Sequence, residues 1–96
     1  MKFHIESATD GKHKYIGVFE EEGERTKHIP FGAFGYEDYT THKNKLRRER
    51  YLLRHKSRED WTNPKTAGTL SKFILWGEST DINKNIRIFK KRFNLN

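Results

Sequence analysis

His42 and His55 are the two residues whose type and neighbourhood raise the question of a metal site. They lie thirteen residues apart in a segment that we expect to be helical. At ~100° per residue, that separation turns the two side chains by roughly 220° relative to each other. They therefore face different ways, and we predict that they share no metal ion. His13 and His28 lie in predicted strands, and no acid or thiol completes a zinc site with them.

No other group of residues has the pattern of a catalytic or cofactor-binding site. Gly32 and Gly35 precede an acidic, aromatic segment, unlike the glycines of a phosphate-binding loop. The tripeptide YIG at residues 15–17 is half of the signature of one nuclease superfamily, and the other half is missing. No serine or threonine stands in a recognisable nucleophile context. We therefore predict that the protein is not an enzyme, and that it has no cofactor, no metal ion and no small-molecule substrate.

Residues 42–58, HKNKLRRERYLLRHKSR, concentrate most of the positive charge. They contain eight Lys/Arg and one acid, Glu49, and their net charge of +7 equals that of the whole chain. Residues 82–96 carry +5, whereas the rest of the chain is slightly acidic. Segregation of this kind indicates a surface directed at an anionic partner, because solubility alone does not require it. The predicted partner-binding residues are Lys43, Lys45, Arg47, Arg48, Arg50, Arg54, Lys56, Arg58, Arg87 and Lys91.

Two classes of anionic partner fit this segment. Arginine makes bidentate contacts with phosphate, so one class is nucleic acid. Sequence-specific reading needs base-contacting side chains, and Asn44 is the only obvious candidate, so such binding would lack strong sequence preference. The other class is an acidic protein surface. Pairing with Asp38, Glu59 or Asp60 inside the molecule would account for part of the charge instead.

The composition predicts one small folded domain. The chain has 96 residues, of which 32% are hydrophobic and 34% charged, a mixture that leans toward disorder. The 14% aromatic content argues for a folded core built mainly from aromatic and aliphatic side chains. There is no cysteine, which excludes disulfides and cysteine-based zinc sites. No apolar stretch approaches ~20 residues, so we expect no transmembrane segment.

The first third of the chain has the alternation of a sheet. The stretches KFHIE, KYIGVFE and TKHIPF predict a three-stranded antiparallel meander over residues 2–31. Asp10-Gly11 is a strong signal for a tight hairpin between the first two strands. The following stretch is too rich in glycine for a regular element, and we expect a loop whose Phe31, Phe34 and Tyr36 pack under the sheet.

The remainder predicts three helices, over residues 40–58, 66–76 and 81–94, and hence an α+β fold. Thr40 or Thr41 would cap the first helix. This helix would bury a thin stripe of Leu46 and Leu53, widened by Tyr51 and Leu52. Gly77 suits the C-terminal cap of the second helix, and Asp81 or Thr80 the start of the third. The expected core is made by the second and third helices through Leu70, Phe73, Ile86 and Phe89, and we place Trp61 and Trp76 in the core as well.

A series of uncommon residues resembles a known family. The motifs are Phe31-Gly32, Gly35-Tyr36-Glu37-Asp38-Tyr39-Thr40, His42-Lys43, Tyr51, Arg54-His55, Glu59-Asp60-Trp61, Thr66-Ala67-Gly68 and Leu75-Trp76. In this order they resemble a family of small basic uncharacterised proteins of nucleocytoplasmic large DNA viruses, the giant viruses, over about residues 15–93. The paired Thr40-Thr41 departs slightly from the family pattern, in which an apolar residue can stand there. The family has no established activity, and the resemblance implies a viral protein of the kind that is often a virion component.

Charge and resemblance together lead to two hypotheses. The first is a non-enzymatic virion-associated structural protein, a minor capsid or internal component, that binds acidic surfaces of viral coat proteins. It would be found in the virion and, during infection, in the host cytoplasm or nucleus. The second is a nucleic-acid-binding protein that contacts phosphates through residues 42–58 without sequence preference.

Overall fold

The computed structural model describes residues 1–96. The chain begins with an antiparallel sheet of three strands. These are β1 (Lys2–Ser7), β2 (His13–Glu20) and β3 (Lys27–Ala33), in the order β1-β2-β3. The predicted meander is confirmed, although β3 continues two residues further. The connection between β1 and β2 spans residues 8–12, longer than a two-residue turn. Asp10 holds it, because its carboxylate accepts hydrogen bonds from the backbone N–H groups of Lys12 and His13, both at 2.9 Å.

One face of the sheet is covered by helices and forms the core. Phe3 and Phe19, which are directly paired across β1 and β2, lie on this face together with Phe31 of β3. Gly17 lies between them on β2. A side chain at Gly17 would collide with Leu70, since a Cβ atom there would lie 2.8 Å from a Leu70 methyl group. The glycine therefore allows the covering helix to approach the sheet closely.

The predicted helix over residues 40–58 is two helices, α1 (Tyr39–His42) and α2 (Lys45–Lys56). The break falls at Lys43, which has a left-handed backbone with φ of 55°, and at Asn44, which caps α2. The Asn44 side chain accepts hydrogen bonds from two backbone N–H groups of α2, so it competes with continuation of the helix. The predicted caps Thr40 and Thr41 are wrong, because Asp38 caps α1 and both threonines lie within it.

The predicted buried stripe of α2 is correct only in part, because Tyr51 is buried and Leu52 half-buried, whereas the two leucines at its centre are exposed. Leu46 and Leu53 are 54% and 77% exposed. The side of α2 that contacts the rest of the molecule carries Arg48 and the buried Tyr51. Arg48 follows Leu46 by two positions, about 200° around the helix, so the buried side of α2 is centred nearly opposite Leu46.

The second predicted helix is α3 (Ala67–Leu70), which continues into a π-helical segment (Ser71–Leu75). Thr66 caps it by accepting a hydrogen bond from the Thr69 N–H at 3.1 Å. Gly77 is not the predicted left-handed cap, because its backbone does not have a positive φ. It is needed for space, since a Cβ atom would lie 2.2 Å from the carbonyl oxygen of Phe73.

The third predicted helix is α4 (Ile82–Arg92), capped by Asp81 as expected. Of the predicted core residues, Leu70 and Phe89 are fully buried, whereas Phe73 and Ile86 are only partly buried and pack against that core. Trp61 and Trp76 are likewise partly buried.

In the segment of residues 31–39, which we expected to be a loop, the aromatic side chains do not lie where we predicted. Phe31 is buried, but it belongs to β3. Phe34 and Tyr36 are 64% and 74% exposed, so the prediction that they pack under the sheet is wrong. This segment therefore presents two aromatic rings to the surface, and Tyr36 lies beside α2.

Candidate functional site, a basic groove beside an aromatic stack

One face of α2 carries three arginines in a row. Arg47, Arg50 and Arg54 are three and four residues apart, a spacing that places side chains on the same side of a helix. All three line a groove of about 570 Å³ between α2 and the end of β3. We call it the arginine groove, defined by these arginines together with Lys14, Tyr36, Tyr51 and Trp76.

Aromatic rings form another part of the groove lining. Tyr51 and Trp76 are stacked in parallel, with ring centroids 4.2 Å apart, and His55 also stacks on Tyr51 at 4.2 Å. His42 extends the cluster, with its ring centroid 5.2 Å from that of Trp76. Tyr36 is the aromatic residue of the groove that is largely free of protein contact. The groove therefore combines a fixed aromatic wall with one exposed ring.

Part of the positive charge in the groove is neutralised by neighbouring acids. Arg47 pairs with Glu37 at 2.8 Å, in an exposed position where such a pair contributes little to stability. Lys14 pairs with the buried Asp38 at 2.5 Å. Arg50 and Arg54 form no ion pair in the structure. Their two charges are the unneutralised part of the groove and face solvent.

Glu59 connects the aromatic cluster to the segment after α2. Its Oε1 lies 3.1 Å from Nδ1 of His55, and its Oε2 accepts a hydrogen bond from the indole N–H of Trp61 at 2.8 Å. Among the motif residues quoted above, Asp38, His42, Tyr51, His55, Glu59, Trp61 and Trp76 thus converge on one region. His55 thus bonds across to the segment after α2.

The surroundings of the cluster shift two pKa values. Burial, followed by the charge of Glu59, raises the pKa of Tyr51 to about 12. Loss of water around the ring, followed by the charge of Arg47, lowers the pKa of His42 below 6.5. The Nδ1 atom of His42 accepts a hydrogen bond from the Asn44 N–H at 2.9 Å, which also favours the neutral ring. Both groups are therefore uncharged near neutral pH.

Arg48 does not belong to the groove, although its sequence position placed it with the other arginines. Its Nε–H donates to the carbonyl oxygens of Trp76 and Gly77, at 3.1 and 2.8 Å. Its guanidinium also lies 5.6 Å from the centroid of the Tyr39 ring. Arg48 thus fastens α2 to the chain after the π-helical segment, and we omit it from the partner-binding surface.

The other predicted residues lie on different surfaces. Lys43, Lys45, Lys56 and Arg58 are exposed around α2 and do not line the groove. Arg87 is exposed on α4, and Lys91 borders a second cavity. The groove also contains Lys14, Tyr36 and Trp76, which sequence reasoning missed because they come from separate segments.

No group of three or more His, Cys, Asp or Glu side chains is arranged to hold a metal ion. None of the helices combines the length and the apolar character that crossing a membrane requires.

Comparison with known proteins yields one family. No curated protein and no solved structure matches the chain. A family model described as "Family of unknown function (DUF5754)" matches residues 3–55. The match covers the sheet except the first residue of β1, together with α1 and α2 up to His55, and so includes all three arginines of the groove. Because more than half of the chain is matched, the protein belongs to the DUF5754 family of unknown function.

Proposed function

We propose that the protein binds single-stranded nucleic acid, without sequence preference, through the arginine groove. The observation that carries this proposal is the row formed by Arg47, Arg50 and Arg54 beside the exposed ring of Tyr36. Proteins that bind single strands combine a positively charged groove, which follows the backbone, with aromatic side chains on which bases stack. From Arg47 to Arg54 the row extends ~10 Å along α2, at ~1.5 Å per residue.

We expect no strong sequence preference, because Asn44, the base-reading candidate in the sequence, does not line the groove. Its side-chain oxygen is occupied by the N–H groups of Leu46 and Arg47. Arg50 and Arg54 carry charge without a fixed partner, which suits phosphates better than base edges. Affinity would then come from phosphate contacts and stacking.

The test is the salt dependence of binding to a fluorescent single-stranded oligonucleotide, measured by anisotropy. Each neutralised phosphate on a single strand contributes ~0.7 to the slope of log K against log salt. Replacing Arg47, Arg50 and Arg54 by glutamine should therefore flatten the slope by up to about 2. The matched control replaces Lys45, Lys56 and Arg58 by glutamine, which removes the same charge from outside the groove and should change the slope much less.

Tyr36→Ala provides a second readout that is independent of charge. Base stacking is worth ~1–3 kcal/mol per base, so this variant should bind the oligonucleotide more weakly with an unchanged salt slope. Equal slopes for the two triple variants, together with normal binding by Tyr36→Ala, would contradict the proposal.

A second candidate function is assembly on an acidic protein surface, and the face of α2 that adjoins Arg50 favours it. Leu46 and Leu53 lie exposed on that helix among basic side chains. Apolar side chains surrounded by charged ones suit a protein interface better than a nucleic acid backbone. With the resemblance to giant-virus proteins, the partner would be a coat protein and the location the virion or the infected host cell.

The two candidates are separated by a variant with Leu46→Ser and Leu53→Ser. Assembly through this face predicts that the variant is excluded from purified particles while it still binds the oligonucleotide. Absence of the wild-type protein from purified virions would remove the assembly hypothesis.

A further inference from the structure

A second cavity lies between α2, the π-helical segment and α4, and we call it the α2–α4 cavity. It has a volume of about 490 Å³. Its charged lining residues include Arg48, Lys72, Lys91 and Arg92, and Phe73 and Ile88 form an apolar wall. The cavity is distinct from the arginine groove, since none of these residues lines both.

The four cations have no anionic partner in the protein. None of them forms an ion pair, and Glu78, the acid at the cavity, pairs with none of them. The Nε–H of Arg48 is committed to two backbone carbonyls, which fixes the guanidinium and leaves its terminal amino groups without a partner. The positive groups therefore converge from three elements on one concave space.

Aromatic rings position two of these cations. The Nζ atom of Lys72 lies 4.0 Å from the ring centroid of Phe73 and 4.8 Å from that of Trp61. The guanidinium of Arg92 lies 5.2 Å from the same Phe73 ring. Such contacts attract a cation to a ring but do not cancel its charge. Lys72 and Arg92 are thus held near each other despite their repulsion.

The repulsion is reflected in the titration of Lys72. Burial, followed by the charges of Arg92 and Arg48, lowers the pKa of the Lys72 ammonium, and the charge of Glu78 offsets this lowering only in part. A bound anion would offset both charges and raise that pKa again. Without a bound anion, the cavity therefore keeps an excess of positive charge.

We propose that the α2–α4 cavity binds a phosphate group, either free phosphate or the phosphate of a small organic molecule. Guanidinium groups donate in a planar fork that matches phosphate oxygens, and a lysine adds a point charge. Donors that approach from three elements suit a tetrahedral anion with several acceptor oxygens. The apolar wall of Phe73 and Ile88 offers a surface for the organic part of a phosphorylated molecule.

The experiment titrates the full-length protein with inorganic phosphate and, separately, with adenosine monophosphate, by calorimetry at constant ionic strength in chloride. Lys72→Gln and Lys91→Gln should each weaken binding at least tenfold. Arg87→Gln removes one charge from the exposed surface of the same helix α4, outside the cavity, and should change the affinity less than twofold. In the wild type, the pKa of Lys72, followed by side-chain NMR, should rise on addition of phosphate.

The two ligands distinguish the sources of the phosphate group. Equal affinities support a site for free phosphate, and at least tenfold tighter binding of the nucleotide supports a phosphorylated organic ligand. The groove variant with Arg47, Arg50 and Arg54 replaced by glutamine should retain phosphate binding, so failure of the nucleic acid proposal leaves this one standing.

Three results would overturn the phosphate site. These are no heat of binding for either ligand at millimolar concentration, equal weakening by Lys91→Gln and Arg87→Gln, or an unchanged Lys72 pKa in saturating phosphate. Lys91 is exposed, so its replacement tests the site even if Lys72→Gln lowers stability.

Discussion

The phenol ring of Tyr51 lies parallel to the indole of Trp76, at a centroid distance of 4.2 Å and an interplanar angle of 1°. This stack joins α2 to the end of the π-helical segment, 25 residues later in the chain. Because Leu46 and Leu53 face solvent, α2 is held by this stack, by the half-buried Leu52 and by the hydrogen bonds of Arg48. The position of the arginine groove therefore depends on an aromatic contact.

Replacing Trp76 by alanine should lower the free energy of unfolding by about 3 kcal/mol, the lower end of the range for truncation of large aromatic side chains, because Trp76 is only partly buried. Urea denaturation followed by circular dichroism measures the change. Tyr36→Ala is the matched control, since that ring is exposed, and it should stay within ~0.5 kcal/mol of the wild type. A Trp76→Ala variant as stable as this control would show that the stack does not hold α2.

Arg48 and Arg50 should differ in their effect on stability although they are close neighbours in the sequence. Arg48→Gln should cost about 2 kcal/mol, since hydrogen bonds from a charged donor to two backbone carbonyls are lost. Arg50→Gln removes the same charge from the exposed side of α2 and should be neutral within ~0.5 kcal/mol. Thermal melts of the two variants make the comparison, and equal melting temperatures would contradict the assigned role of Arg48.

His42 should make the protein less stable in acid. Its pKa in the folded state is lowered below 6.5, so the unfolded chain binds a proton more readily than the folded one. The free energy of unfolding should therefore fall as the pH drops from 6.5 toward and through the folded-state pKa, and should not respond to His42 above that range. Urea denaturation between pH 8 and pH 5 measures this dependence.

His42→Phe keeps a ring between Tyr39 and Trp76 and removes the titrating group. The variant should lose the His42 part of the acid dependence, even if its stability at pH 8 is lower. The control His28→Gln, at an exposed strand position, should retain that dependence. Identical pH profiles for wild type and His42→Phe would refute the assignment.

Asn85 is a buried polar residue that the periodicity of α4 does not reveal. Its side-chain amide donates to the carbonyl oxygens of Ile74 and Ser79, at 2.9 and 2.7 Å, and accepts from the Ser79 N–H at 3.0 Å. Asn85→Ala should cost about 3 kcal/mol, because each buried group left without a partner costs ~1–3 kcal/mol. Asn83→Ala, an exposed change on the same helix, should cost less than ~1 kcal/mol. Chemical denaturation of both variants tests whether Asn85 joins α4 to the π-helical segment.

Local patterns were sufficient for the elements whose signals lie within a few residues. Alternation along residues 2–31 predicted the meander, because successive side chains of a strand point to opposite faces. Asp81 and the spacing of Ile82, Ile86 and Phe89 predicted α4, since cap and period act over one or two helical turns. The concentration of charge in residues 42–58 was likewise evident. The sequence did not show which of these basic residues line the groove, which lie on the outer surface and which make an internal contact.

The sequence by itself determined the strands, the start of α4 and the positive charge of α2. Only the tertiary structure decided which side of α2 is buried. Leu46 and Leu53 form the most apolar local pattern, but the stack of Tyr51 on Trp76 and the bonds of Arg48 turn the opposite side inward. These contacts join residues more than 20 positions apart. The strength of these contacts depends on the distance and the angle between two surfaces. The residue pattern of a single helix carries no information about either quantity.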